Sequence, residues 1–348
     1  MKVLTSRTVR PLAESELRSD EMGRAWWSGL RSIEEQERVA QARHVWLDPE
    51  SGSGFTPSGR RLTETIQWPH RTRLPTRRAW VTGAFTARRV RMPAVSLRDA
   101  GMERNWYHLL VDLLGGRLRL ADEVVGRDLA VVIPPGLPTQ ATDALRRGGF
   151  ADREWIVQPE HRWLFVDTLT VVTAPRYDPA AIRYLWDNLA VPVADPTTAD
   201  RLLVAREPGT GREWANHDEV MGLARRYGLQ IIKPATTPLD EQMERFGRAS
   251  LVVGAHGAGM TGVLWRRAAP LDIIDIQVRG RNAPMGNFAV IAAWTGARYL
   301  ALGDSLWKDP GGNPKGSQPR AWKQDALVVD TDALARAIES CLDGRELP

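Results

Sequence analysis

Apolar positions recur along this chain with two different periods. Between Trp106 and Leu120 they fall at Leu109, Leu110, Leu113 and Leu114, which is one face of a helix. The run 129–133 is short, apolar and closed by Pro134-Pro135, so it predicts a buried strand. By the same reasoning strands are expected at 155–157, 163–173, 201–205, 229–233, 251–254, 272–278, 298–302 and 326–329. Helices are expected at 139–147, from Asp178-Pro179 to about Leu189, from Asn216 to Gly228, and at 239–248, 258–266, 288–294 and 331–342, the last capped by Thr331. Upstream, Ala79-Trp80-Val81 and Ala84-Phe85-Thr86 alternate with polar residues and predict strands with solvated faces.

Strands alternating with helices at this spacing specify an α/β chain with parallel, doubly wound sheets. Val191-Pro192-Val193-Ala194-Asp195-Pro196 reads as a linker. It divides the chain into an N-terminal domain, 1–195, and a C-terminal domain, 196–348. In such sheets a ligand sits beyond the carboxyl ends of the strands.

Composition adds limits. The chain is 43% hydrophobic and 26% charged with a formal charge of +5, the balance of a globular protein. No apolar run approaches the roughly 20 residues of a membrane span. The opening Met1-Lys2-Val3-Leu4-Thr5-Ser6-Arg7 is too polar for a secretory signal, so a cytoplasmic protein is expected. The single cysteine, Cys341, rules out an intrachain disulfide and a cysteine zinc cluster. Nine arginines and one acid, Glu64, lie between Arg60 and Arg91. No aromatic-basic nucleic-acid module accompanies them, and peripheral contact with a membrane surface stays open.

Candidate chemistry gathers at Gly254-Ala255-His256-Gly257-Ala258-Gly259-Met260-Thr261, where a buried strand enters a glycine-rich turn and a helix. Small residues admit a ligand to the backbone, and a helix N-terminus offers N–H groups to a phosphate. The spacing is not the dinucleotide fingerprint and no P-loop lysine motif occurs. His256 is expected to donate to a phosphate or sugar oxygen. Arg206 and Arg212 flank a loop at a strand end and suit diphosphate oxygens. Asn216 serves either as helix cap or as ligand contact. Asp275, late in an apolar strand, is placed for a ribose diol or a structural ion pair. In the first half His108 and Asp112 stand at i and i+4, an arrangement that suits a general base.

Three blocks resemble glycosyltransferase family 61, whose members include capsular polysaccharide enzymes and xylosyl- and N-acetylglucosaminyl-transferases. They are Asn105-Trp106-Tyr107-His108 to Asp112, Arg206 through Arg212 to Asn216, and Glu241-Gln242 with Val253 to Thr261 and Ile274-Asp275-Ile276. The resemblance implies two facing Rossmann-like domains of the GT-B type and an inverting transfer that needs no metal or other cofactor. It also implies a nucleotide-sugar donor bound by Arg206, Arg212, Asn216, Gln242, Gly254, His256, Gly257, Ala258, Gly259, Thr261 and Asp275. A hydroxyl acceptor, such as a glycan, would be deprotonated by His108 with Asp112. Ala205-Arg206 stands where the family commonly has Arg-Arg, and Asp275 where Glu is usual. A binding protein without catalysis and an NAD(P)-dependent dehydrogenase are the rival readings.

Overall fold

A computed structural model describes residues 1–10, 16–19, 27, 31, 33–66, 74–195, 197, 199–206, 214–267, 270–278, 286–305 and 328–343. The chain forms two compact units, one of Met1–Ala13 with Ile33–Ala190, the other of Glu14–Ser32 with Val191–Pro348.

The first unit is built on a nine-stranded sheet, and that sheet is mixed. Its centre is the long pair Glu35–Leu47 and Leu164–Thr173, which run antiparallel. Lys2–Val9 and Gly54–Phe55 also pair antiparallel with Glu35–Leu47. Ala94–Ser96, Ala130–Ile133 and Trp155–Val157 continue the sheet in parallel from Leu164–Thr173. Arg88–Val90 also pairs parallel with Leu164–Val166, and the parallel pattern expected from sequence describes only these strands of the sheet. Val45, Leu47, Ala130, Val132, Leu164 and Val166 fill one core beneath it.

The segment expected as a helix from Trp106 winds as a π-helix over His108–Leu118 and tightens to an α-helix over Arg119–Val124. Leu109, Leu110, Leu113, Leu114 and Leu118 are all buried, each stabilising the fold by about 1.5–3 kcal/mol. Gly115 is required by contact with the helix Ala180–Asn188, since a Cβ there would stand 2.8 Å from Ala181 Cβ. The same winding buries Arg117, whose guanidinium donates to the Ser96 and Arg98 carbonyls and to Asp99 at 2.7 Å.

The strands expected around Trp80 and Phe85 are instead one α-helix, Arg77–Thr86. Thr76 caps it, accepting from the Ala79 N–H at 3.1 Å. Trp80 packs against Phe55, Trp163 and Trp46 at ring separations of 5.2, 4.9 and 6.0 Å. Gly83 lies directly on the Trp163 indole, where an added Cβ would come within 2.2 Å.

The second unit carries a six-stranded sheet whose pairings are all parallel, in the order Gln230–Ile232, Asp200–Val204, Ala249–Ala255, Asp272–Val278, Arg298–Ser305 and Arg18–Ser19. The last strand comes from near the start of the chain and is tied by the Ser19 hydroxyl donating to the Tyr299 carbonyl at 2.7 Å. Helices His217–Arg226 and Thr331–Leu342 pack together on one face, with Val220, Ala224, Leu334 and Ile338 in the core. Leu239–Arg248, the segment Ala258–Trp265 and Asn287–Thr295 pack with one another elsewhere on the unit. Asp330, not Thr331, caps the final helix, its side chain accepting from Ala333 N–H. The expected strand at 326–329 falls largely outside the described residues.

Candidate functional site

In the second unit the chain leaves Asp200–Val204 for Gln230–Ile232 on one side, then returns to Ala249–Ala255 on the other. Where successive crossovers depart in opposite directions, a crevice opens at the strands' carboxyl ends. Two groups of the sequence reading meet there. Arg206 lies two residues past one strand, and the turn from His256 lies directly past the other.

Arg206 Nη2 donates to the His256 carbonyl at 3.5 Å. Burial holds its guanidinium below the usual arginine range. A cation carried into partly desolvated space is suited to meet an anion there. Arg212, its expected companion, lies outside the described residues.

The glycines of the turn divide by role. A Cβ at Gly254 would stand 2.5 Å from Met260 Sδ and 2.9 Å from Val204 Cβ, and one at Gly262 would meet the Phe246 ring at 2.3 Å. Those two are small because the protein itself packs there. Gly257, Ala258 and Gly259 are partly exposed and form the accessible rim of the turn. The helix expected here is a 3₁₀-helix, Ala258–Trp265, whose first bond commits Met260 N–H to the Gly257 carbonyl. Thr261 is fully buried, so its hydroxyl is not presented to a donor at the surface.

His256 and Asp275 join in a buried polar cluster. Asp275 pairs level with Gly254, below the strand ends, and is 0% exposed. Its Oδ2 accepts from His256 Nδ1 at 2.8 Å, from the Tyr299 hydroxyl at 2.9 Å and from Gln277 Nε2 at 3.1 Å. The Phe288 ring closes edge-on against the imidazole at 4.9 Å. Donation from Nδ1 leaves Nε2 as the basic nitrogen of the neutral ring. Gln277 and Tyr299 were not anticipated from sequence. The alternation Asp275-Ile276-Gln277, two polar residues on one face of a buried strand, is the signal that marks the first.

Two further donor-site residues are committed to structure. Asn216 holds the Val329 backbone from both ends of its amide, at 2.9 and 3.0 Å. Gln242 is fully buried and donates to the Pro234 and Thr237 carbonyls at 2.8 and 2.7 Å, bracing the turn before its own helix.

In the first unit His108 Nδ1 and Asp112 Oδ2 are 2.7 Å apart on the π-helix. The imidazole keeps 24% of its surface exposed, against 9% for the carboxylate. Asp112 also lines a cavity of about 300 Å³ with Glu64, Arg117, Thr173 and Arg176. Arg176 is held by Glu35 at 2.8 Å. Burial pushes the Tyr107 phenol well above its ordinary range, so it stays protonated beside the dyad. Arg117 and Arg176 were not singled out by sequence, because nothing local marks which arginines reach a cavity. Among the described residues no group of three His, Cys, Asp or Glu is placed to hold a metal ion, and no helix is long and apolar enough to cross a membrane.

Residues 106–271 match the model of the family Glycosyltransferase 61. The matched stretch opens just before His108, takes in Arg206 and His256, and stops four residues short of Asp275. Comparison with curated proteins gives no match.

Proposed function

From a chain whose residues 106–271 match glycosyltransferase family 61, we propose an inverting, metal-independent transfer of a sugar from a nucleotide-sugar donor to a hydroxyl acceptor. The observation that carries this is the meeting of Arg206, His256 and the Gly257–Gly259 rim at the switch point of the parallel sheet. The proposal includes a GT-B type of organisation, with the second unit serving the donor and the first the acceptor.

In the proposed reaction the acceptor oxygen bonds to the anomeric carbon as the carbon–oxygen bond to the nucleoside diphosphate breaks. The acceptor proton passes to His108, which Asp112 orients. His108 is preferred over His256 as base because its ring is the more exposed of the two. Charge developing on the departing diphosphate is met by Arg206 and by the turn that follows His256. His256, held by Asp275, hydrogen-bonds a phosphate or sugar oxygen.

The test is thermal-shift stabilisation by UDP, GDP, dTDP, CMP and NAD, followed by transfer assays with the matching donors, with and without EDTA. One nucleoside diphosphate is expected to stabilise the wild type and to lose most of that effect in Arg206→Ala and His256→Ala. His108→Ala is expected to keep the binding and lose roughly a hundredfold or more in turnover. Stabilisation by NAD alone would replace the proposal with a dehydrogenase. Diphosphate binding without any transfer or donor hydrolysis would leave a binding protein.

A further inference from the structure

The helix Arg77–Thr86 turns one side to the protein and a different chemistry to solvent. Trp80 and Gly83 face inward onto Trp163. At 100° per residue, Arg78, Val81 and Phe85 fall within about 60° of one another on the opposite side. Phe85 is 88% exposed and Val81 47%, and Leu74, just before the cap, is 64% exposed. An exposed phenylalanine of this degree is uncommon where the rest of the helix is anchored by four aromatic rings.

The surroundings of these apolar groups are basic. Arg77, Arg78, Arg88 and Arg91 are all exposed. Among the described residues none of the four forms an ion pair, whereas Arg89 is spent on Asp167 at 2.8 and 3.0 Å. Apolar side chains on the outer face of a short helix, flanked by unpaired arginines, match a bilayer interface that carries negative charge. A soluble polyanion would answer the arginines but would give Val81 and Phe85 no apolar partner.

We propose that the helix Arg77–Thr86 and the arginines beside it dock the protein on an anionic lipid surface, with Phe85 and Val81 entering the acyl boundary and Arg77, Arg78, Arg88 and Arg91 meeting the headgroups. This goes beyond glycosyl transfer and does not depend on it, since the patch lies wholly in the first unit and uses none of the residues assigned to chemistry.

The experiment is co-sedimentation of the full chain with sucrose-loaded vesicles of phosphatidylcholine alone or mixed with phosphatidylglycerol, at low and high salt. Binding is expected only to the anionic vesicles and is expected to weaken with salt. Phe85→Ser, which leaves charge unchanged, is expected to lower partitioning about tenfold. Each arginine removed in Arg77→Gln and Arg78→Gln is expected to lower it about fivefold. All three side chains are on the surface, so thermal melts of the variants are expected to match the wild type. Equal binding to neutral vesicles, no binding to either, or indifference to Phe85→Ser would overturn the proposal. Competition by heparin or RNA that ignores Phe85→Ser would assign the arginines to a polyanion instead.

Discussion

Substituting Asp275 separates what its charge does from what its shape does. Its Oδ2 accepts three hydrogen bonds from buried donors, His256 Nδ1, the Tyr299 hydroxyl and Gln277 Nε2. In Asp275→Asn the amide oxygen can take the same place, and the bonds survive as neutral ones. A bond to a charged acceptor contributes about 1.5–3 kcal/mol and a neutral one about 0.5–1.5. Three such exchanges lose about 3 kcal/mol, and relief from burying a carboxylate offsets part of it. The net expectation is a loss of about 1–2 kcal/mol. Asp275→Leu removes the acceptor of His256 Nδ1 and of the Tyr299 hydroxyl, while Gln277 Nε2 keeps its bond to Tyr299 at 2.8 Å; at about 1–3 kcal/mol for each lost acceptor, about 2–4 kcal/mol is expected after partial relaxation. Urea denaturation reads both values as a shift in midpoint at unchanged slope. Diphosphate binding measured alongside is expected to fall in Asp275→Asn by more than its stability loss explains, because the weaker neutral bond holds the His256 ring less firmly. A leucine variant as stable as wild type would refute the energetic argument. An asparagine variant with unaltered binding would refute the assignment of His256 to the donor.

Gly262→Ala is expected to destabilise by about 1–3 kcal/mol through the Phe246 ring. Gly222→Ala, in a helix where nothing lies within 4 Å, is expected to stabilise by about 0.5–1 kcal/mol, both read by thermal melts. Burial pushes the Cys341 thiol up to about 12. Iodoacetamide at about pH 8.5, the ordinary thiol value, is therefore expected to leave it unmodified in the native protein and to label it in urea. The sign follows from the raised value: the stability this group contributes is complete below about pH 8.5 and is lost as pH rises toward 12, so a Cys341→Ala variant should lose less over that window.

Much of the second unit was legible because five of its six strands are short, largely apolar runs between helices; Arg18–Ser19, two polar residues, was not expected. Leu239–Arg248 and Asp272–Val278 coincide with the expected spans. Periodicity failed at Ala79 to Thr86, where a three-residue alternation outweighed the Pro75-Thr76 helix start. It failed again for the first unit's sheet, since strand direction depends on connections that a local pattern does not contain. In the candidate site, residue types were easier to read than their partners. His256 was recognised as out of place among small residues, but that Asp275 lies beneath it follows from strand register alone. Asn216 was expected as either helix cap or ligand contact, and Gln242 as a ligand contact only through the family resemblance. Only the positions of Val329, Pro234 and Thr237 show where their amides are used.

The pairing of Arg18–Ser19 with Arg298–Tyr299 has a bearing on how the protein is made. During synthesis the short strand Arg18–Ser19 emerges long before the strand it joins, and it must wait unpaired until Arg298–Tyr299 has left the ribosome. Once Arg298–Ser305 has emerged, its outer edge has no cover until Arg18–Ser19 reaches it, and an open edge invites pairing with another chain. A fragment beginning at Val191 would keep that edge open permanently, on the very strand whose Tyr299 hydroxyl steadies Asp275. Arg18–Ser19 is thus the last strand to take its place in the second unit's sheet.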